Sequence, residues 1–235
     1  MLFSALFLST AFGAAPLTEA PGGRSGNLPG AADYPAGEWT VETSAQSFIL
    51  PSIGGFGAAR GQVAYAFTDA FSLSVDGGAI HESHFGRYGE ANGVFNATAR
   101  LQTSIDDTLR VATWLRPRVF SNVQDEYPVQ SSTALGVSVE GGGEHTRLDI
   151  SLPVACLETF VEVDGETRSP DVHMGCFSSW TEMPEIGVSA LFGSGHRVRV
   201  SGIYPTVSYG HFGERVFGEV GVGLLGVNGR LGVRF

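Results

Sequence analysis

The sequence predicts an all-β fold: an antiparallel up-and-down transmembrane β-barrel of about ten strands, with eight strands as the fallback. Segments of alternating apolar and polar residues follow one another along most of the 235-residue chain. A period of two is typical of strands that have one apolar and one polar face. Charged residues make up only 16% of the chain, below the roughly 25% usual in soluble domains. Strands that face lipid would account for this scarcity of charge.

The amino-terminal residues 1–15 have the character of a secretory signal peptide. An apolar run from Leu2 to Phe12 is too short to span a bilayer as a helix, and the small residues after it offer a cleavage site at Ala15. The basic residue that usually precedes such a run is missing, which leaves a misassigned start or an uncleaved anchor as alternatives. Residues 16–36 are rich in proline, glycine and alanine and are expected to form a flexible periplasmic leader. Residues 37–235 are then the barrel.

The individual strands follow from the alternation and from the turn residues between them. The predicted strands are 38–49, 57–68, 70–81, 93–105, 108–120, 132–141, 145–156, 184–193, 196–209 and 217–235. Tight turns rich in glycine and aspartate alternate with longer connections, of which the longer ones are 82–92, 121–131, 157–183 and 210–216. Short turns on one side and long loops on the other are typical of membrane barrels, whose short turns face the periplasm.

Alternation alone does not decide whether the apolar face meets lipid or a dry core. An arginine at the bilayer midplane costs about 2–4 kcal/mol, so in a membrane barrel residues such as Arg100 and Arg110 must face inward. Four phenylalanines fall at strand ends on the short-turn side, where an interfacial aromatic girdle is expected: Phe67, Phe71, Phe192 and Phe235. A secreted, soluble, lipocalin-like binding barrel, with its apolar face inside, is the competing interpretation.

The last eleven residues, 225–235, alternate strictly and end on an aromatic carboxy terminus. Leu231, Val233 and Phe235 share one face of this strand. A chain that ends in this way resembles bacterial outer-membrane β-barrel proteins, whose assembly machinery recognises a terminal segment of this kind. The resemblance implies export through the periplasm, localisation in the bacterial outer membrane and contact with outer-membrane lipid. It also implies that these three residues are the signal for the barrel-assembly machinery, and it assigns no subfamily.

If the polar faces point inward, the barrel lumen contains many charged side chains. The expected luminal residues are Arg100, Arg110, Arg116, Arg118, Arg147, Asp76, Glu140 and Asp149, with Arg230 and Arg234 as further arginines. In a narrow barrel such charges either pair and fill the lumen or line a small polar passage. The first arrangement indicates a structural or surface-interaction protein. The second indicates a narrow, porin-like pore for small polar or anionic solutes.

The segment 157–183 is the longest predicted outer loop, and it is acidic. Cys156 and Cys176 enclose most of it, and in an exported chain an even pair of cysteines is expected to form a disulfide bond. Metal or redox chemistry is the alternative for these two thiols. The loop is predicted to be a recognition surface for an extracellular ligand that the sequence does not identify, with a solvated charged loop as the competing interpretation.

The sequence predicts neither an enzyme nor a cofactor or metal site. The net charge of −10 opposes nucleic-acid binding, which selects clustered basic residues. No GxSxG motif is present, and no serine–histidine pair has the spacing of a nucleophile beside its base. His81 and His84 are three residues apart, but they fall in or beside a predicted loop without a third or fourth ligand in view.

Overall fold

The computed structural model describes residues 24–25, 28–29, 36–50, 54–84, 90–106, 108–122, 129–143, 145–161, 171–174, 184–193, 195–202, 206–224 and 226–235. These residues form β-strands and the turns that join them. In the described part of the chain, no helix is long and apolar enough to cross a membrane.

Twelve antiparallel strands close into a barrel. They are β1 Trp39–Leu50, β2 Gly54–Thr68, β3 Phe71–His84, β4 Glu90–Asp106, β5 Leu109–Asn122, β6 Val129–Gly142, β7 Thr146–Val161, β8 Glu185–Phe192, β9 His196–Ser201, β10 Thr206–Phe212, β11 Val216–Gly223 and β12 Gly226–Arg234. Each strand pairs with the next, and β12 pairs with β1. Trp39 and Phe235 exchange backbone hydrogen bonds of 2.8 and 3.0 Å at this closure. A closed sheet leaves no edge, so its backbone groups are satisfied within the barrel, as a bilayer requires.

The fold class is confirmed as an antiparallel barrel, but the prediction of about ten strands is wrong, and so is the fallback of eight. The predicted strand 196–209 is two strands, β9 and β10, separated by a turn that begins at Gly202 with a φ of +95°. The predicted strand 217–235 is likewise β11 and β12. Neither turn contains asparagine or aspartate, and the apolar residues within them continue the strand pattern. The alternation therefore concealed both reversals of the chain.

Two of the predicted loops are corrected by the same result. The segment 210–216 is not a long outer loop, because it contains the end of β10, the start of β11 and a short turn at the periplasmic end, the end that carries the carboxy terminus. The segment 157–183 begins with the last residues of β7 and includes a short strand, Asp171–Met174, that pairs back onto β7. The contrast between short turns and long loops thus holds for only part of the barrel.

The apolar faces of the strands point outward. Leu101 and Leu231 are 58% and 59% exposed, whereas Arg100 is 3% exposed. At the outward positions of β1–β12 whose side chains the structure describes, no aspartate, glutamate or arginine occurs. This distribution contradicts the soluble lipocalin-like alternative, in which the apolar side chains would fill the interior and arginine would face water.

The aromatic girdle lies at the periplasmic end of the barrel. Phe67 and Phe71 stack across the β2–β3 turn with their ring centroids 5.6 Å apart, and Tyr65 packs edge-on against Phe67 at 4.8 Å. Trp39 lies 4.7 Å from Tyr65, which extends this cluster to the first strand. Rings at this level match the membrane–water interface on the side of the short turns.

The amino-terminal region is described only in part. Two short paired strands, Arg24–Ser25 and Leu28–Pro29, lie against β7 and β8. Residues 1–15 and the rest of the predicted leader before residue 36 lie outside the described residues. The signal peptide and the flexible leader therefore stay predictions.

Candidate functional site

The lumen of the barrel is the candidate functional site, and it is rich in arginine. The described inward-facing arginines are Arg60, Arg100, Arg110, Arg116, Arg118, Arg147, Arg197, Arg199, Arg230 and Arg234. The described inward-facing carboxylates are Glu42, Asp76, Glu140, Asp149, Glu185 and Glu219. Ten arginines minus six carboxylates give these luminal residues a net charge of +4, although the whole chain carries −10. The strand alternation thus concentrates positive charge inside the barrel.

One half of the lumen, between β2 and β7, is filled by a polar network that we call the packed half. Asp76 accepts a hydrogen bond of 2.6 Å from the amide nitrogen of Asn96 and lies 3.5 Å from the guanidinium of Arg116. Arg118 donates to the amide oxygen of Asn96 at 2.8 Å. These four side chains come from β3, β4 and β5, and each residue is almost fully buried. Paired charges at this burial fill space and fix the relative positions of the strands.

Trp114 continues the packed half toward β6 and β7. Its indole nitrogen donates to the hydroxyl of Ser138 at 3.0 Å, and Ser138 in turn lies 2.7 Å from the hydroxyl of Ser151. The indole ring covers Gly136 on the neighbouring strand, where an added Cβ would lie only 2.0 Å from a ring atom. Glycine at this position is therefore what allows so large a side chain to point inward.

The other half of the lumen, between β8 and β12 and including β1, is organised around Glu219, and we call it the open half. Glu219 accepts hydrogen bonds from Arg197 at 2.8 Å and from Arg230 at 2.9 Å, and Ser208 bonds to the same carboxylate. Asp149 binds Arg199 through both carboxylate oxygens, at 3.1 and 2.5 Å. One carboxylate thus holds two arginines together at the centre of this half.

A cavity of about 60 Å³ lies in the open half. It is lined by polar and charged side chains, chiefly Glu42, Ser44, Gln46, Arg60, Arg199, Ser201, Ser208, Glu219, Asn228 and Arg230. Since roughly 10–15 Å³ of such space is enough to hold one water molecule, this volume suits a few waters or one small ion. Phe212 and Phe217 stack at 6.2 Å nearer the periplasmic turn, and the guanidinium of Arg197 lies 4.4 Å over the ring of Phe212. The two rings form the floor of the open half.

The structure divides the predicted luminal residues between the two halves. Arg100, Arg116, Arg118 and Asp76 lie in the packed half, and Asp149 lies in the open half as the partner of Arg199. Arg147 and Glu140 pair with each other at 2.6 Å, and Arg110 is opposite Glu140 in the strand register. Arg230 joins Glu219, and Arg234 lies 3.6 Å from Glu38.

Sequence reasoning missed six charged luminal residues that the structure describes. These are Glu42, Arg60, Glu185, Arg197, Arg199 and Glu219. The sequence does contain the alternation that places three of them inward. Arg197 and Arg199 alternate with valines in the segment 196–200, and Glu219 begins a similar alternation in 219–222. The overlong strands predicted for 196–209 and 217–235 left the pairing of these residues undefined.

The predicted disulfide and metal-binding residues are only partly described. Cys156 is 2% exposed and is not a free thiol, whereas Cys176 lies outside the described residues, so their pairing stays a prediction. His81 is exposed on β3, and the side chain of His84 is not among those described. Within the described ranges, no three His, Cys, Asp or Glu side chains gather where they could hold a metal ion.

No protein-family model and no curated protein matches this chain. Among solved structures, the barrel is similar to the COG4313 outer membrane channel from Pseudomonas putida F1, with a TM-score of 0.60 and 11% identity over 86% of this chain and 97% of that chain. The translocator domain of autotransporter NalP from Neisseria meningitidis matches with a TM-score of 0.46 and 11% identity, over 86% and 89% of the two chains. The Ralstonia pickettii toluene transporter TbuX matches with a TM-score of 0.39 and 10% identity, over 96% of each of the two chains.

The likeness to the Pseudomonas channel shows the fold. The chain has the closed β-barrel fold of bacterial outer-membrane proteins, and no subfamily is assigned. The apolar exterior and the aromatic girdle, together with this fold, support localisation in the bacterial outer membrane.

Proposed function

We propose that this outer-membrane β-barrel protein is a narrow channel for small polar solutes, with a preference for anions. The observation that carries the proposal is the cavity in the open half, whose lining contains two carboxylates, Glu42 and Glu219, and one more arginine than that: Arg60, Arg199 and Arg230. The solute path is assigned to the open half because the cavity lies there, among luminal side chains that are otherwise mostly buried in both halves. The similar structure from Pseudomonas putida F1 is itself an outer membrane channel, which supports the same assignment here.

The preference for anions follows from the charge of the cavity lining. The side chains that line the cavity include three arginines and two glutamates, and a low-dielectric wall strengthens the positive potential that this excess creates. Serine, glutamine and asparagine side chains complete the cavity lining and replace part of the hydration shell of a passing solute. A small anion therefore enters more favourably than a cation of the same size.

Glu219 holds two arginines together on this path. It draws Arg197 and Arg230 together above the stacked rings of Phe212 and Phe217. A solute that passes this level must move between the two guanidinium groups or displace one of them. Conductance is therefore expected to be small, as in barrels whose lumen is mostly filled by side chains.

Planar-bilayer electrophysiology on the refolded full chain tests the proposal. Wild-type protein is expected to give small single-channel conductances with a reversal potential that indicates anion preference in a KCl gradient. Arg199→Gln should lower the anion-to-cation permeability ratio about twofold to threefold, a change that corresponds to roughly 0.5 kcal/mol. Arg110→Gln is the matched control, because Arg110 lies opposite Glu140 outside the cavity lining and should leave the ratio unchanged.

Two outcomes would contradict the channel proposal. The first is the absence of any conductance from a barrel that still changes electrophoretic mobility on boiling. The second is an equal effect of Arg199→Gln and Arg110→Gln, which would separate ion preference from the cavity.

A second candidate function is that of a surface-interaction barrel that acts through its outer loops. The length of the strands on one side of the barrel favours this candidate. Strands β4 and β7 contain 17 and 16 residues, more than the roughly 9–11 that cross a bilayer. The outer ends of these strands would raise the segment 157–183 above the lipid as a recognition surface. Deletion of residues 162–170 would then abolish binding to the cell-surface partner and leave the barrel and its ion preference intact.

We also propose that the last strand is the signal for the barrel-assembly machinery. Leu231 and Val233 face outward on β12, and Phe235 is exposed directly after it, beside the seam where β12 meets β1. Removal of Phe235 is expected to lower the amount of folded barrel in the outer membrane, as measured by mobility of unheated samples. Removal of the exposed aromatic ring of Phe67 at the same level is the control, since it leaves the seam unchanged.

A further inference from the structure

A cluster of four rings lies on the outward face of the barrel at the periplasmic end, below the open half. Phe192 stacks on His196 at 5.9 Å, and His196 stacks on Tyr209 at 5.8 Å. His211 lies 4.6 Å from His196 on the neighbouring strand, where the two residues are register partners. We call these four residues the imidazole cluster.

The imidazole cluster faces away from the lumen. Tyr209 and His211 alternate on β10 with the buried, inward-facing residues Ser208, Gly210 and Phe212. Tyr209 is 46% exposed, and His211 is also exposed. The Nε2 atom of His211 lies beside Gly213 in the β10–β11 turn, 3.6 Å from where a Cβ of that residue would be. The polar atoms of the cluster are therefore at the level of the periplasmic turns, where lipid headgroups lie.

The hydrogen bond between Tyr209 and His196 leaves a donor directed to the surroundings. The hydroxyl of Tyr209 and Nδ1 of His196 are 2.6 Å apart, so they share one hydrogen. If the hydroxyl donates, the neutral imidazole carries its own proton on Nε2, which becomes a donor to the surroundings. If Nδ1 donates, the hydroxyl hydrogen of Tyr209 is left to donate instead. Either arrangement requires an external acceptor.

The girdle on the other side of the barrel has no such arrangement among its described rings. Trp39, Tyr65, Phe67 and Phe71 pack through carbon surfaces at the same end. That cluster matches the ordinary role of interfacial rings, which is to anchor the barrel at the boundary between lipid and water. Histidines stacked beside a tyrosine in the girdle add two imidazoles that can donate to an anion.

We propose that the imidazole cluster is a binding site for the phosphate group of a phospholipid in the periplasmic leaflet. The phosphodiester oxygens accept one hydrogen bond from His211 and one from whichever of His196 and Tyr209 keeps its outward hydrogen. The acyl chains run along the apolar outer face of β9 and β10, which carries Val198, Val200 and Val207. Hydrogen bonds to a charged oxygen are stronger than those between neutral groups, which favours phosphate over the ester carbonyls of the lipid. This site is independent of the luminal path proposed above.

Native mass spectrometry of the purified full-length barrel tests this proposal. The probes are phosphatidylglycerol and diacylglycerol with the same acyl chains, each added to detergent micelles at equal concentration. Wild-type protein is expected to retain one phosphatidylglycerol several times more often than one diacylglycerol. His196→Phe and Tyr209→Phe keep the stacked rings and should each lower this retention about threefold to tenfold. Tyr65→Phe, which removes a hydroxyl from the other cluster at the same level, is the control and should not lower it.

Three results of this experiment would overturn the proposed phospholipid site. Equal retention of the two lipids by wild type, or unchanged retention in both variants, would overturn the site. Displacement of phosphatidylglycerol by an equal concentration of inorganic phosphate would assign the donors to a soluble anion and also overturn it. A shift in mobility between unheated and boiled samples verifies that each variant is a folded barrel before its lipid content is measured.

Discussion

The two sides of this barrel differ in height and in what they enclose. Strands β1–β7 contain 12 to 17 residues each, whereas β8–β12 contain only 6 to 9. Most of the long strands enclose the packed half, where arginine, aspartate, asparagine and tryptophan side chains fill the lumen. The short strands, with β1, enclose the open half and its cavity. One barrel thus separates a rigid polar interior from a region that can admit a solute.

Each half of the lumen contains an arginine–aspartate ion pair, but the two pairs differ in how completely they are buried. The side chains of Arg116 and Asp76 in the packed half are each 1% exposed, whereas those of Arg199 and Asp149 are 7% and 18% exposed. Removal of one partner from a fully buried pair leaves an uncompensated charge, while a partly hydrated pair is screened by water. Burial therefore decides which pairs maintain the fold and which can exchange partners with a solute.

The largest expected effect comes from the removal of the charge of Asp76. Asp76→Asn keeps the shape of the side chain but leaves Arg116 without its buried counter-ion, which costs about 3–5 kcal/mol of unfolding free energy. Urea titration of the barrel in detergent, followed by tryptophan fluorescence, measures the loss. Asp149→Asn is the matched change in the open half and is expected to cost less, about 2 kcal/mol, because that pair is less completely buried. Equal losses for the two variants would remove the distinction between the halves.

A second prediction tests whether the long strands β1–β7 and the short strands β8–β12 both face the hydrocarbon of the membrane. The apolar outer face that they share implies that they do. Val75 on β3 and Val220 on β11 are 45% and 65% exposed on the outer face. Val75→Arg and Val220→Arg are each expected to cost about 2–4 kcal/mol in lipid vesicles, because both residues lie well inside their strands. Glu214→Arg, in the periplasmic turn, is the control and should have almost no cost. A negligible cost at Val220 alone would mean that the short wall faces water.

A third prediction concerns the close contact between Trp114 and Gly136. Gly136→Ala would place a Cβ 2.0 Å from the indole, so the ring must shift and strain the packed half by about 1–3 kcal/mol. Gly61→Ala is the control, because nothing lies within 4 Å of the Cβ that it would add. The fluorescence emission of Trp114 should change together with the unfolding free energy. An unchanged urea midpoint for Gly136→Ala would indicate that this half is more loosely packed than its burial suggests.

Much of the wall could be predicted from the sequence, because a period of two specifies which side chains share a face. The outward leucines and valines, the inward arginines and the girdle phenylalanines all follow from alternation and turn residues alone. The number of strands could not be predicted in the same way. Leu224 and Leu225 continue the strand pattern, and within residues 202–205 only Gly202 and Pro205 interrupt it, with no aspartate or asparagine beside them.

The division of the lumen into two halves was also beyond the sequence. Alternation specifies that Arg116 and Arg199 both point inward, but it does not specify which strand lies across from each. The pairing of Arg199 with Asp149 joins residues 50 positions apart, and that of Arg116 with Asp76 joins residues 40 apart. Such contacts depend on strand register and on the number of strands that close the barrel, which sequence spacing does not encode.

The smallest expected effect concerns Glu219 in the open half, and it distinguishes the effect of charge on ion preference from the effect of structure. Glu219→Gln removes the one carboxylate between Arg197 and Arg230, so the local potential becomes more positive. The anion-to-cation permeability ratio should rise about twofold, a change that corresponds to a free-energy difference of roughly 0.4 kcal/mol. The double variant Glu219→Gln with Arg230→Gln restores the charge balance without restoring the hydrogen bonds. A return of the ratio to the wild-type value in the double variant would show that charge sets the preference. An equally raised ratio in both variants would instead assign the change to the loss of structure around Glu219.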